Sequence, residues 1–223
     1  MAKLEPLKGD GMSRLYRSIF ALIAWGTLGL QLYLHWQGRG ELSTAEIVTR
    51  YVSYFTVLTN LMAAAILTLP VAVPRSGIGR WAASSPVRSA VTSFLLVVGL
   101  AYHFLLAASW NPQGLLYPVN MVLHYVMPAA IVLDWLILTP RGRLRWGGPI
   151  RWLWFPFLYG AWTVFHGLTS GWWPYDFINI DQRGWTTALT MFGALLAAFA
   201  LVGLTLVGLD RLLARGDRRR PSA

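Results

Sequence analysis

Cysteine is absent from all 223 residues. That excludes disulfides, thiolate nucleophiles and Cys-based metal sites, and it leaves the redox compartment open. Charge is scarce as well: 13% of residues are charged, against about 25% in an average soluble domain. Acidic side chains are the rarest of these, 9 Asp and Glu against 19 Lys and Arg, for a net charge of +10. What fills the chain instead is apolar, 56% of it, a balance that points to a membrane protein. A surplus of positive charge can signal nucleic-acid binding. Here the basic residues fall in the short gaps between apolar runs, which is how membrane orientation is encoded, so no nucleic-acid partner is expected.

A spanning helix takes about 20 mostly apolar residues. Six stretches qualify, at about 15–36, 46–72, 88–110, 118–138, 150–171 and 185–213. The second and sixth are long enough to tilt or to protrude. The expected architecture is all-α: a short N-terminus (1–14), one six-helix transmembrane domain (15–213) and a basic tail (214–223). The first apolar run is span-length and lacks a small-residue cleavage site, so it reads as a span and not as a cleaved leader. No solenoid period and no inverted repeat is visible.

Charge alternates from loop to loop. Lys3, Lys8, Arg14 and Arg17 precede the first span, Arg75, Arg80 and Arg88 follow the second, Arg141, Arg143, Arg145 and Arg151 follow the fourth, and the RGDRRRPSA tail follows the sixth. The other three loops carry little beyond Arg39, Arg50 and Arg183. The positive-inside rule then puts both termini in the cytoplasm of a multi-pass cell-membrane protein. Asp134 and Asp210 sit at cytoplasmic helix ends, where loop arginines such as Arg141 or Arg143 are the expected partners.

Against this apolar background the polar residues stand out. YFTVLTN, Tyr54 to Asn60, puts Thr56, Thr59 and Asn60 on one face of the second span. At about 1.5 Å per residue, Thr56 and Asn60 lie roughly 15–22 Å along that span. His103, His124 and His166 come at similar depth on three other helices, in the outer half of the bilayer, and His35 ends the first span. Asn120 shares a face with His124, and His166 with Thr163 and Thr169 or Ser170. Ionisable groups in spans face the bundle interior or a wet cavity, so one outward cavity lined by Thr56, Thr59, Asn60, His103, Asn120, His124 and His166 is the expectation.

A hydroxyl facing an imidazole is a nucleophile–base pair, able to attack an ester carbonyl and return the proton to the leaving alcohol. Asn60 or Asn120 could orient the imidazole or donate to an oxyanion. Three histidines could instead hold zinc with a fourth position open, but no two of them share a helix at ligand spacing, so no metal and no other cofactor is expected. TSGWWPYDF, Thr169 to Phe177, closes the fifth span with interfacial aromatics, and Asp176 is within reach of Arg50 or Arg183. Pro128, four residues after His124, frees a carbonyl and kinks the fourth helix.

Two stretches resemble a known family. NMVLHYVMPAAIVLDWL (with Asn120, His124 and Pro128) and WTVFHGLTSGWWPYDFI (with His166, Thr169, Gly171, Trp173, Pro174 and Tyr175) look like the two histidine-bearing segments of the androgen-induced (FAR/AIG-like) six-span membrane proteins. This chain is similar to a distant bacterial-type member. The resemblance implies six spans with both ends cytoplasmic. It also implies a threonine hydrolase of lipid esters, in the animal members fatty acid esters of hydroxy fatty acids. Carried over, the nucleophile is Thr56, with Thr59 as rival, and the base is His124; His166, Asn60 and Asp176 are supporting or pocket residues. The expected partners are membrane lipids and an amphiphilic small molecule. The alternative is a non-enzymatic binder or transporter of an amphiphile or metal ion using the same cavity.

Overall fold

The computed structural model describes residues 8–218; Lys3 and the end of the RGDRRRPSA tail lie outside them. Among the described residues every regular element is helical. In chain order these are α1 (Lys8–Gln37), α2 (Thr44–Val52), α3 (Phe55–Ala72), α4 (Gly77–Ala83), α5 (Ser85–Ala101), α6 (Leu116–Met121), α7 (Met127–Leu138), α8 (Gly148–Trp152), α9 (Trp154–Ser170) and α10 (Ile180–Arg218). A π-turn, Tyr102–Leu106, ends α5, and a second, Val122–Val126, joins α6 to α7. Five segments are long and apolar enough to cross a membrane: Gly11–Gln37, Phe55–Ala72, Ser85–Leu106, Leu116–Leu138 and Ile180–Arg215. The expected fifth span, 150–171, is divided at Leu153 between α8 and α9, and the 17 residues of α9 rise only about 25 Å.

Local chemistry sets the helix ends. Ser43 and Glu46 form a reciprocal capping box at the start of α2. Those hydrogen bonds from Ser43 also hold the Glu46 carboxyl below its ordinary pKa. Gly171 ends α9 in the left-handed region at φ 69°, and Gly184 breaks α10 near its start at φ 73°, conformations that only glycine adopts freely.

The sequence reads 46–72 as one helix, and the structure breaks it. Ser53 ends α2, and Tyr54 is extended at φ −82°, ψ 124°. The groups freed at the break are taken up by α9: the Tyr159 hydroxyl donates to the Ser53 carbonyl (2.8 Å), and the Trp162 indole donates to the Ser53 hydroxyl (3.0 Å). Thr56 therefore stands in the first turn of a new helix and not in the middle of a long one.

The core is a layer in which α1 packs on α3 and α5 on α7, with Ala24, Ala63, Ala64, Leu67 and Met127 fully enclosed. Phe55, Phe94 and Phe199 form a second cluster where α3, α5 and α10 meet. Large apolar side chains also cover the outside: Leu22, Phe104 and Ile137 are each about three-quarters exposed. An apolar exterior on an apolar core fits a lipid solvent.

The end of the bundle far from Thr56 is tied by charge. Asp134 of α7 is ion-paired with Arg17 of α1 (2.9 Å) and with Arg88 of α5, not with Arg141 or Arg143. Arg141 instead stacks over the Trp135 ring. Among the described residues Asp210 likewise pairs with no loop arginine; its carboxylate accepts the main-chain N–H groups of Gly142 (2.9 Å) and Leu144 (3.0 Å), closing the loop after α7 onto α10.

Candidate functional site

Four elements converge on Thr56: the first turn of α3, the two π-turns, and the loop between α9 and α10. The Thr56 hydroxyl lies 3.3 Å from His124 Nε2. On the other side of the ring, His124 Nδ1 is 3.0 Å from the Asn120 carbonyl. A carbonyl only accepts, so Nδ1 carries the proton and Nε2 presents its lone pair to the threonine. The ring is further fixed by stacking on Tyr102, 4.1 Å between centroids and 25° between planes. The Asn120 amide donates to the Tyr102 hydroxyl at 2.6 Å, tying that ring in turn.

The π-turn has a local cause. Pro128 has no N–H to donate. Met127 N–H reaches back five residues to the Val122 carbonyl, so the Leu123 carbonyl is left without a helical donor. Asn60 supplies one: its amide donates to Leu123 (3.2 Å) and to the Thr56 carbonyl (2.9 Å). Asn60 thus clamps the threonine helix to the histidine helix from inside the core, where it is fully buried. Asn60→Leu removes both donors and leaves a buried carbonyl unpaired. The expected loss is about 1–3 kcal/mol, read as a lower thermal transition in detergent; an unchanged transition would rule out the clamp.

Two cavities meet at the pair. One, of about 620 Å³, is a vestibule whose mainly apolar walls also carry the polar side chains of Gln31, His35, Arg39, Arg50, Asn120 and Asp176. The other, about 70 Å³, is a narrow channel walled by apolar and aromatic side chains such as Phe55, Val98, Pro156, Phe192 and Phe199. Thr56, Tyr102, Leu106, His124 and Tyr175 belong to both walls. The Tyr175 hydroxyl is 3.4 Å from the Thr56 main-chain N and 3.5 Å from its hydroxyl. Burial raises the Tyr175 pKa, so at neutral pH its O–H stays intact as a donor.

The other expected site residues fall elsewhere. Thr59 is fully buried, and its hydroxyl donates to the main-chain carbonyls of Phe55 (2.9 Å) and Thr56 (3.2 Å), facing neither cavity. His103 is exposed and paired with the Tyr125 hydroxyl at 3.1 Å. His166 lies between Trp162 and Trp172, outside both cavities. Shared depth did not mean a shared cavity, because the helices turn these two imidazoles away. Among the described residues no three His, Asp or Glu side chains gather closely enough to hold a metal ion. Asp176 does line the vestibule, and Arg183 binds its main-chain carbonyl at 2.6 Å. Arg50 lies over the Trp172 ring.

Sequence reasoning passed over Tyr102, His35 and Arg50 as cavity residues, and it reached Tyr175 only as part of the Thr169–Phe177 stretch that could form the lip of an outward pocket. The signal for Tyr102 was present in its spacing: four residues after Val98 and seven after Leu95, it carries the buried face of α5 into the π-turn. Tyr175 had no periodic signal, since it sits in a loop. No family model, curated protein or solved structure matches the chain.

Proposed function

We propose that this protein is an integral cell-membrane hydrolase of amphiphilic esters, with Thr56 as nucleophile and His124 as general base and acid. The observation that carries the reading is the Thr56–His124 contact of 3.3 Å at the boundary between a vestibule that carries charged and polar side chains and an almost wholly apolar channel. An amphiphilic ester matches that boundary: its polar part in the vestibule beside Arg39 and Arg50, its acyl chain in the channel, its carbonyl at Thr56. His124 Nε2 takes the hydroxyl proton as Thr56 Oγ bonds to the carbonyl carbon. The tetrahedral intermediate then expels the alcohol, which leaves with the proton from His124, and an acyl-threonine remains. Water, deprotonated by the same nitrogen, adds to the acyl-threonine carbonyl, and His124 returns that proton to the Thr56 oxygen as the C–O bond breaks, freeing the acid and Thr56.

The same reading takes the topology as six spans, with α8 and α9 together making the fifth and both termini cytoplasmic. The arginine pattern supports that orientation, and the vestibule then opens outward. The resemblance to the androgen-induced membrane proteins supports the Thr56–His124 pairing and a distant, bacterial-type membership.

The experiment is treatment of the purified protein with a fluorophosphonate, followed by mass spectrometry. The expected result is a phosphonylated Thr56 and no other labelled hydroxyl. An unlabelled, folded protein would end the hydrolase assignment and leave the vestibule as a binding or transport site for an amphiphile.

A further inference from the structure

An acyl-transfer site needs donors for the oxygen that becomes negative when the carbonyl is attacked. Both asparagines named for that role are otherwise engaged. The Asn60 amide donates to the carbonyls of Thr56 and Leu123, and the Asn120 amide to the Tyr102 hydroxyl. Neither can turn toward Thr56 without abandoning a buried partner, and Asn60 lines neither cavity.

Two other donors flank the threonine hydroxyl. The first is the Thr56 main-chain N–H. The break at Ser53–Tyr54 puts Thr56 at the second position of α3, where an amide has no helical carbonyl to bond, and where the helix dipole favours negative charge. The second is the Tyr175 hydroxyl, 3.4 Å from that nitrogen and 3.5 Å from the threonine oxygen, on the wall of both cavities. In chymotrypsin-type serine proteases the nucleophile's own N–H is one half of the oxyanion hole; here a second donor stands beside it.

Resting on the hydrolase reading, we infer that Tyr175 and the Thr56 main-chain N–H together form the oxyanion hole of this site. In the free protein the Tyr175 oxygen accepts the Thr56 N–H and so caps it. An ester carbonyl entering from the vestibule displaces that contact. It takes the N–H for itself, and the Tyr175 O–H turns to donate to the same oxygen. No proton leaves Tyr175; its bond to the oxygen strengthens as the C=O electrons move onto it and relaxes when the alcohol departs. The loop from Gly171 to Asn179 is on this account part of the catalytic centre and not only an interfacial aromatic belt.

The test compares para-nitrophenyl octanoate with its thionoester, in which sulfur replaces the carbonyl oxygen and is a poor hydrogen-bond acceptor. Tyr175→Phe keeps the ring, with its stack on Phe177 and edge contact with Tyr54. It is expected to lower kcat for the oxoester by about 10²–10³-fold with little change in KM, and to lower thionoester turnover far less, so the preference for oxygen shrinks. Tyr175→Phe with wild-type kcat, or with both esters slowed equally, overturns the inference and leaves the hydrolase reading intact. No turnover of either ester by the wild-type protein overturns both. Should Tyr175→Phe not fold, a fluorotyrosine at position 175 keeps the shape and sharpens the donor, and an unchanged oxygen-to-sulfur preference then decides against it.

Discussion

Replacing His124 with alanine is expected to lower ester turnover by about 10²–10⁴-fold, the range that a positioned general base contributes. The argument is geometric. His124 Nε2 is 3.3 Å from the Thr56 oxygen. The other polar groups on the wall shared by the two cavities are the phenols of Tyr102 and Tyr175, which are poor bases at neutral pH. A threonine hydroxyl without a base is a weak nucleophile. The fold should survive, because the ring's lost contacts are its stack on Tyr102 and its hydrogen bonds with the Asn120 carbonyl and the Thr56 hydroxyl. Thr56→Val should abolish covalent labelling, while Thr56→Ser, which keeps a hydroxyl, should retain part of the turnover. Free imidazole should restore some activity to His124→Ala, since the adjoining vestibule of about 620 Å³ has room for it. The measurement is steady-state hydrolysis of para-nitrophenyl octanoate in detergent; wild-type rates in His124→Ala would remove the histidine from the mechanism.

Asp134→Leu should be the most destabilising substitution in the chain. Asp134 and Arg88 are 2% and 1% exposed. The arginine also donates to the Ile66 carbonyl and the Thr139 hydroxyl, both at 3.2 Å. Removing the carboxylate strands a guanidinium inside a helix bundle, and breaking a buried pair in this way costs about 3–5 kcal/mol. Arg17 is less affected, because at 14% exposure its long side chain can reach outward. The double variant Arg88→Met, Asp134→Leu should recover most of the loss, since an apolar pair of similar volume is often as stable as the ions it replaces. Thermal unfolding in detergent distinguishes the cases. A double variant no better than Asp134→Leu alone would mean that Arg88 is held by its carbonyl and hydroxyl partners and not by the carboxylate.

The helices were legible because lipid demands long apolar runs, and five of the six expected stretches appear at span length. The break at Ser53 was not legible. No proline or glycine marks it; it is held by Tyr159 and Trp162, more than 100 residues further along the chain. The partners of Asp134 were hidden for a related reason. Sequence proximity suggested Arg141 and Arg143, whereas packing of α1 and α5 on α7 delivers Arg17 and Arg88. Depth along a helix can be counted from its ends, so Thr56 and His124 could be matched. Rotation about the axis cannot, which is why His103 and His166 were grouped with them and face elsewhere.

The π-turn at Val122–Val126 has a bearing on how such a site can be altered. Compared with an uninterrupted α-helix it carries one surplus residue, and each residue turns a helix by about 100°. The segment before the turn and the segment after it are therefore out of phase by that angle. With that offset in place, Asp134 beyond the turn faces its arginines and His124 within it faces Thr56. Removing a single residue from the turn would leave composition, apolarity and span length almost untouched, yet the anchor at one end and the reactive imidazole at the other could no longer both point inward. The surplus residue acts as a phase adjuster between the part of the helix that holds the bundle and the part that meets the ligand.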